Sequence, residues 1–266
     1  MGNREARIDL GWDLLEQGQF DGAIDVAQAL LAEEADDAEA SFLEASALFE
    51  AGDLDGAESR LRRLLDLEPE SVPARLTLAA LLHATCRFDD ALEAVDHAAG
   101  IDPGNPYAAY LRGLVLDMSG RHSEADACFA RAAELEPGHY QIPVTLDRSE
   151  FDRAIEEALG SLPSEFRERL SNLSIQVEEI PSMALLGTLD EPSPDILGLF
   201  VGTPFTQRST GDTPQLPEAI YLFKRNLERA CADRQELVEE IRVTLLHEIG
   251  HYLGMDETDL DEAGFA

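Results

Sequence analysis

The stretch TLLHEIGHYLGMDETDLDE, residues 244–262, holds the residue types and spacing best suited to chemistry. His247 and His251 are four positions apart, so on a helix their imidazoles share one face, a single turn apart. Two imidazoles so placed can reach one divalent cation at about 2.0–2.1 Å each. Glu248 follows the first histidine, where its carboxylate can reach a water on that cation. Zinc there lowers the pKa of the water and polarises a carbonyl, while Glu248 takes the proton and later delivers it to a leaving amine. A catalytic zinc has three protein ligands and one open position. The third is expected from the acidic tail, Glu257 first, then Asp256, Asp259 or Asp261. Tyr252, Tyr221 and Arg225 are candidate donors to a developing oxyanion, and spacing selects none of them.

Other elements must hold these groups in place. Asp233-x-x-Glu236 is expected to cap a long helix through Leu237, Val238, Ile241, Leu245 and Leu246, and Gly254 to end it. Upstream, LSIQVEEI (173–180) alternates apolar and polar residues and reads as a strand with one buried face. ILGLFVG (196–202) and EAIYLF (218–223) are further strand candidates, with the turn-rich TPFTQRSTGDTPQLP as a loop between them. Ser149-x-x-Asp152 is expected to open a helix carrying Phe151, Ala154, Ile155 and Leu159 on a connected face. Leu162-Pro163 breaks it, and a short helix through Phe166 and Leu170 follows. This makes the second half a small α+β domain.

The first half has another rhythm, with a period of 34 residues. One column reads Ala23, Ala57, Ala91, Ala125, and another reads Gly11, Ala45, Ala79, Gly113. Leu14, Leu48, Leu82 and Leu116 form a third column, and Ala35, Pro69, Pro103 and Pro137 a breaker column. Small residues let paired helices approach closely, leucines fill the seam, and proline stops the second helix. Turns are expected at GQFD, GDLD, CRFD and GRHS. This pattern resembles the tetratricopeptide repeat over residues 4–140 and implies an all-α array of four helix pairs. The resemblance places the first helix of each pair on a concave face that binds a protein or peptide partner. Ile8, Trp12, Leu15, Phe42, Phe49, Leu76, Tyr110 and Leu114 would lie there, with Glu5, Glu16, Glu39, Glu50 and Asp117 among them. The partner expected is an apolar or basic segment.

Residues 150–266 as a whole resemble the minimal zincin-like metallopeptidases, which implies such a domain over residues 145–266. FDRAIEEALGSLP, LSIQVEEIP, ILGLFVGTP, EAIYLFKRNL and the terminal TLLHEIGHYLGMDETDLDE carry the likeness, in that order. The resemblance implies a zincin-like core in which the active-site helix backs a small sheet whose edge strand can pair with substrate. The extended motif His247-Glu248-x-x-His251-x-x-Gly254-x-x-Glu257 departs from the metzincin pattern by placing glutamate where a third histidine is usual.

Composition bounds the partners. A net charge of −34 argues against nucleic acid and against anionic membrane surfaces. Cys86, Cys128 and Cys231 are odd in number and far apart, which points to a reducing compartment. No apolar leader opens MGNREARIDLGW and no stretch is apolar for long enough to span a bilayer, so a cytoplasmic protein is expected. The sequence therefore reads as a cytoplasmic zinc-dependent peptidase whose array recruits a partner or substrate. The alternative is a non-catalytic adaptor with a structural or vestigial zinc site.

Overall fold

The computed structural model describes residues 2–170, 173–203, 218–255 and 258. It divides into two compact units, residues 1–140 and 141–266. Among the described residues no helix is long and apolar enough to cross a membrane.

The N-terminal unit contains eight helices in four successive pairs: α1 (Gly2–Glu16) with α2 (Phe20–Glu33), α3 (Ala38–Glu50) with α4 (Leu54–Leu67), α5 (Val72–Ala84) with α6 (Phe88–Ile101), and α7 (Pro106–Met118) with α8 (His122–Leu135). The alanine column at 23, 57, 91 and 125 has no solvent exposure in any pair. A larger side chain there would hold the paired helices apart. Breakers act where the column predicts, because the second helices end at Glu33, Leu67, Ile101 and Leu135, two residues before Ala35, Pro69, Pro103 and Pro137. Within each pair one residue turns the chain in the left-handed region: Gly18, Gly52, Cys86 and Gly120, at φ of 72°, 83°, 58° and 72°. Cys86 is the member of that column with a side chain to accommodate, which L-residues do at a cost. Tyr140 lies against Tyr110 at a ring separation of 5.1 Å, covering the last pair.

The expected concave stripe splits in two. Trp12, Leu15, Phe42, Phe49, Tyr110 and Leu114 are half-buried, and Trp12 meets Phe42 at 5.6 Å. Ile8 and Leu76 are instead core residues, and Asp117 is fully buried, its carboxylate 2.8 Å from His122 Nδ1. A helical stripe wide enough to reach a partner also includes the positions that pack against the neighbouring helix. Glu5, Glu16, Glu39 and Glu50 are all exposed to solvent.

The second unit places helices α9 (Arg148–Ser161) and α13 (Arg234–Leu253) with a three-stranded sheet. The strands are β1 (Ser174–Glu178), β2 (Gly198–Val201) and β3 (Ala219–Phe223), in the order β1-β3-β2. β1 runs parallel to β3, and β2 antiparallel to it. Short helices α10 (Ser164–Arg169), α11 (Met183–Leu186) and α12 (Lys224–Ala230) also belong to the unit. Ile220 and Leu222 join Phe151, Ile155, Leu237, Ile241, Leu245, Ile249 and Tyr252 in one core, with Ile175, Val177 and Phe200 against it. The loop expected at TPFTQRSTGDTPQLP lies outside the described residues from position 204 onward.

Helix α9 opens two residues before the expected cap. Asp147 accepts the Glu150 amide and Glu150 returns a bond to the Asp147 amide, a complete capping box. Ser149 only donates its hydroxyl to Asp147. The cap of α13 falls at Asp233, which accepts from the amides of Gln235 and Glu236 at 2.8 and 3.0 Å. Its end falls at Gly254, in the left-handed conformation at φ 84°. A side chain at that φ would be strained, so glycine lets the chain turn directly after the metal-binding candidates.

Candidate metal centre

The candidate site is built where α13 crosses β2. Gly198 is the reason they come close: a Cβ there would lie 2.7 Å from Thr244 Cγ2 and 3.1 Å from Glu248 Cγ. Two residues on, Phe200 meets Tyr252 edge to face at 5.7 Å. Strand and helix therefore advance together, since two strand residues and four helical ones each cover about 6–7 Å.

On the accessible side of α13, His247 and His251 are half-buried, with rings 4.6 Å apart at 86°. Their Nε2 atoms face each other at 2.9 Å. Two nitrogens on one tetrahedral zinc at about 2.0–2.1 Å lie roughly 3.3–3.4 Å apart, so a few tenths of an ångström of ring movement admits the ion. The donors are chemically apt, because neutral imidazole suits zinc. Glu257, Asp256, Asp259 and Asp261, the expected sources of a third ligand, lie outside the described residues. Among the described residues no group of three His, Cys, Asp or Glu side chains gathers around one point.

Glu248 is 8% exposed, and its Oε2 accepts from the Phe200 amide at 2.7 Å. Of the candidate oxyanion donors, Tyr252 is fully buried and donates its hydroxyl to the Arg169 carbonyl at 2.8 Å. That fixes it as a packing residue. Tyr221 lies between Ile220 and Leu222, which face the core with α13, so strand alternation turns it to the opposite face. Arg225 sits in α12, its amide donating to the Glu179 carbonyl.

Two further groups, absent from the sequence expectation, brace the site. Asn226 is 3% exposed and donates from Nδ2 to the carbonyls of Pro194 and Ile196, at 2.9 and 2.7 Å, just before β2. Its Oδ1 accepts from Arg229. Lys224, the sole lysine, pairs with buried Glu228 at 2.6 Å, and Glu228 also accepts the Leu146 amide at 2.9 Å. The glycine within the apolar run ILGLFVG was the available sign of a close approach. Cys231 is far from reactive: burial, then Glu240, Glu236 and Asp233, push its thiol up to about 11.

Comparison with known proteins agrees with this division. Residues 170–265 match the family model described as zincin-like metallopeptidase. Residues 8–71 and 48–115 match two models of the tetratricopeptide repeat. The chain is thus of a composite class, tetratricopeptide repeats at the N-terminus and a zincin-like metallopeptidase domain at the C-terminus. No curated protein matches it. Similar solved structures include a thermophilic TPR protein of Thermus thermophilus, 23% identical over 50% of this chain and 75% of that one, with a TM-score of 0.48. MamA is 23% identical over 48% and 75%, with a TM-score of 0.45. YrrB, described as a TPR protein with an unusual peptide-binding site, is 19% identical over 51% and 70%, with a TM-score of 0.44.

Proposed function

We propose that this protein is a zinc-dependent peptidase whose repeats, residues 4–140, recruit a protein partner or substrate to the domain of residues 145–266. The observation that carries the reading is the convergence of two imidazole nitrogens to 2.9 Å on an accessible helix face, with a buried carboxylate one residue along. His247 and His251 hold the ion, with Glu257 the first choice for the third ligand and Asp256, Asp259 or Asp261 behind it. Zinc bound there supplies Lewis acidity toward water and a carbonyl oxygen. Glu248 accepts the proton of the attacking water and returns it to the leaving nitrogen. Among the described residues β2 is an edge strand, and its outer side aligns an extended backbone beside Glu248. In the array, Trp12, Phe42, Phe49 and Tyr110 with the acidic groups Glu16, Glu39 and Glu50 suit an apolar or basic segment of the partner.

Metal analysis of the purified chain together with Glu248→Gln tests the assignment. One zinc per chain is expected, retained in the variant, with peptide cleavage reduced about 10²–10⁴-fold. Zinc-free protein, or a variant as active as the original, overturns it.

A further inference from the structure

We infer that the Phe200 amide is a positioning group for Glu248 that an extended polypeptide must take over, so that substrate docking and release of the carboxylate are one exchange. The inference rests on the peptidase reading and narrows its substrate class to chain segments able to add a strand to β2.

The pairing of β2 supports this. The Leu197 carbonyl accepts from the Phe223 amide at 2.9 Å, so Leu197 turns its polar backbone groups toward β3. Strand alternation gives Leu199 and Val201 the same direction, opposite Tyr221 and Ala219. Gly198 and Phe200 therefore turn their amides and carbonyls away from β3, to the side of β2 where no strand pairs among the described residues. One of those outward amides, Phe200, is already engaged by Glu248 Oε2 at 2.7 Å. Gly198 makes this possible, because any side chain there would push Thr244 and Glu248 away from the strand.

An N–H directs its proton at one strong acceptor at a time. A peptide strand pairing with β2 needs that same proton for one of its carbonyls. When the peptide supplies the carbonyl, Glu248 loses its hold on the strand and turns toward the imidazole face. A substrate too short to reach Phe200 leaves the carboxylate where it is. The arrangement selects extended polypeptide over small amides without a side-chain pocket.

Amide exchange on the full chain tests the contact directly. The Phe200 amide is expected to be protected in the original protein and to lose protection about tenfold in Glu248→Ala, as the loss of a hydrogen bond to a charged acceptor implies. Adding an unstructured, positively charged ten-residue peptide should restore protection in the variant, and the same peptide N-methylated at alternate residues should not. Unchanged protection in Glu248→Ala, or equal effects of the two peptides, overturns the inference. Phe200→Pro supplies the kinetic arm, since it removes an amide that serves no sheet bond. Its kcat on a dipeptide anilide should rise several-fold, while KM for a ten-residue substrate should rise about tenfold, the loss of one backbone bond to a charged or well-aligned partner. Equal loss on both substrates overturns the inference by making the amide an aid to catalysis. If the original protein cleaves neither substrate, the peptidase reading fails, and the exchange experiment still decides the contact.

Discussion

The repeat array and the C-terminal unit keep their polar groups in order by different means. In the array a single position serves the same purpose in more than one copy. Asp37 and Asn105 occupy the same column and cap α3 and α7 by accepting from Ala40 and Ala108. The turn column at 18, 52, 86 and 120 is likewise one conformation used four times. In the second unit the bonds that tie its parts together are single and join distant stretches: Glu228 to Leu146, Asn226 to Pro194 and Ile196, Glu248 to Phe200. A defect in the array thus weakens one copy among several, whereas a defect in the second unit removes a constraint with no duplicate.

Asn226→Ala should give the largest effect. It strips the donors from two backbone carbonyls and an acceptor from Arg229, and the second unit should lose about 2–4 kcal/mol. Urea unfolding read through amide exchange over residues 194–201 and 219–223 measures it, and a loss spread equally into the array would break the comparison. Cys86→Gly should act in the opposite direction and locally. Glycine relieves a left-handed residue, so the array gains about 1 kcal/mol, observed as a higher midpoint for its unfolding. No gain would mean that the Cys86 side chain contributes more than its backbone conformation costs.

The smallest effect concerns acid. Asp37, bonded through its side chain to Arg4, holds its carboxyl below the ordinary carboxylate range despite its burial. A depressed carboxyl contributes stability that is fully present above its unfolded value of about 3.9 and fades as the pH falls through the lower folded value. Arg4→Gln should therefore be less stable than the original array at neutral pH, with the two curves meeting in acid. A gap that stays constant from neutral pH to pH 2 would sink this assignment.

The array was legible because each of its rules is stated four times in sequence. The helix of His247 and His251 was legible too, since Asp233, Gly254 and the apolar spacing between them are local signals. β1 could be found from alternation and β2 and β3 as short apolar runs, but not their order, which depends on partners far away in the chain. Helix α12 escaped because KRNLERA is short and mostly polar. The cap of α9 was misassigned to Ser149 because Asp147-x-x-Glu150 overlaps it, and only backbone geometry separates two such patterns. Ile8, Leu76 and Asp117 were placed on a binding face because periodicity marks a side of a helix without saying whether another helix already covers it. The bond from Phe200 to Glu248 involves a backbone amide, which no residue letter records.

The matched advance of β2 and α13 also limits how this domain can change over evolutionary time. Adding a single residue to β2 would exchange inward and outward positions, presenting Leu199 to Glu248 and carrying Phe200 away from Tyr252. A one-residue insertion between Thr244 and His247 would rotate both histidines by about 100°, and one between His247 and His251 would part them by the same angle. Length variation among descendants of this chain should therefore collect in the connections outside 198–201 and 244–252, leaving those two stretches as a fixed ruler.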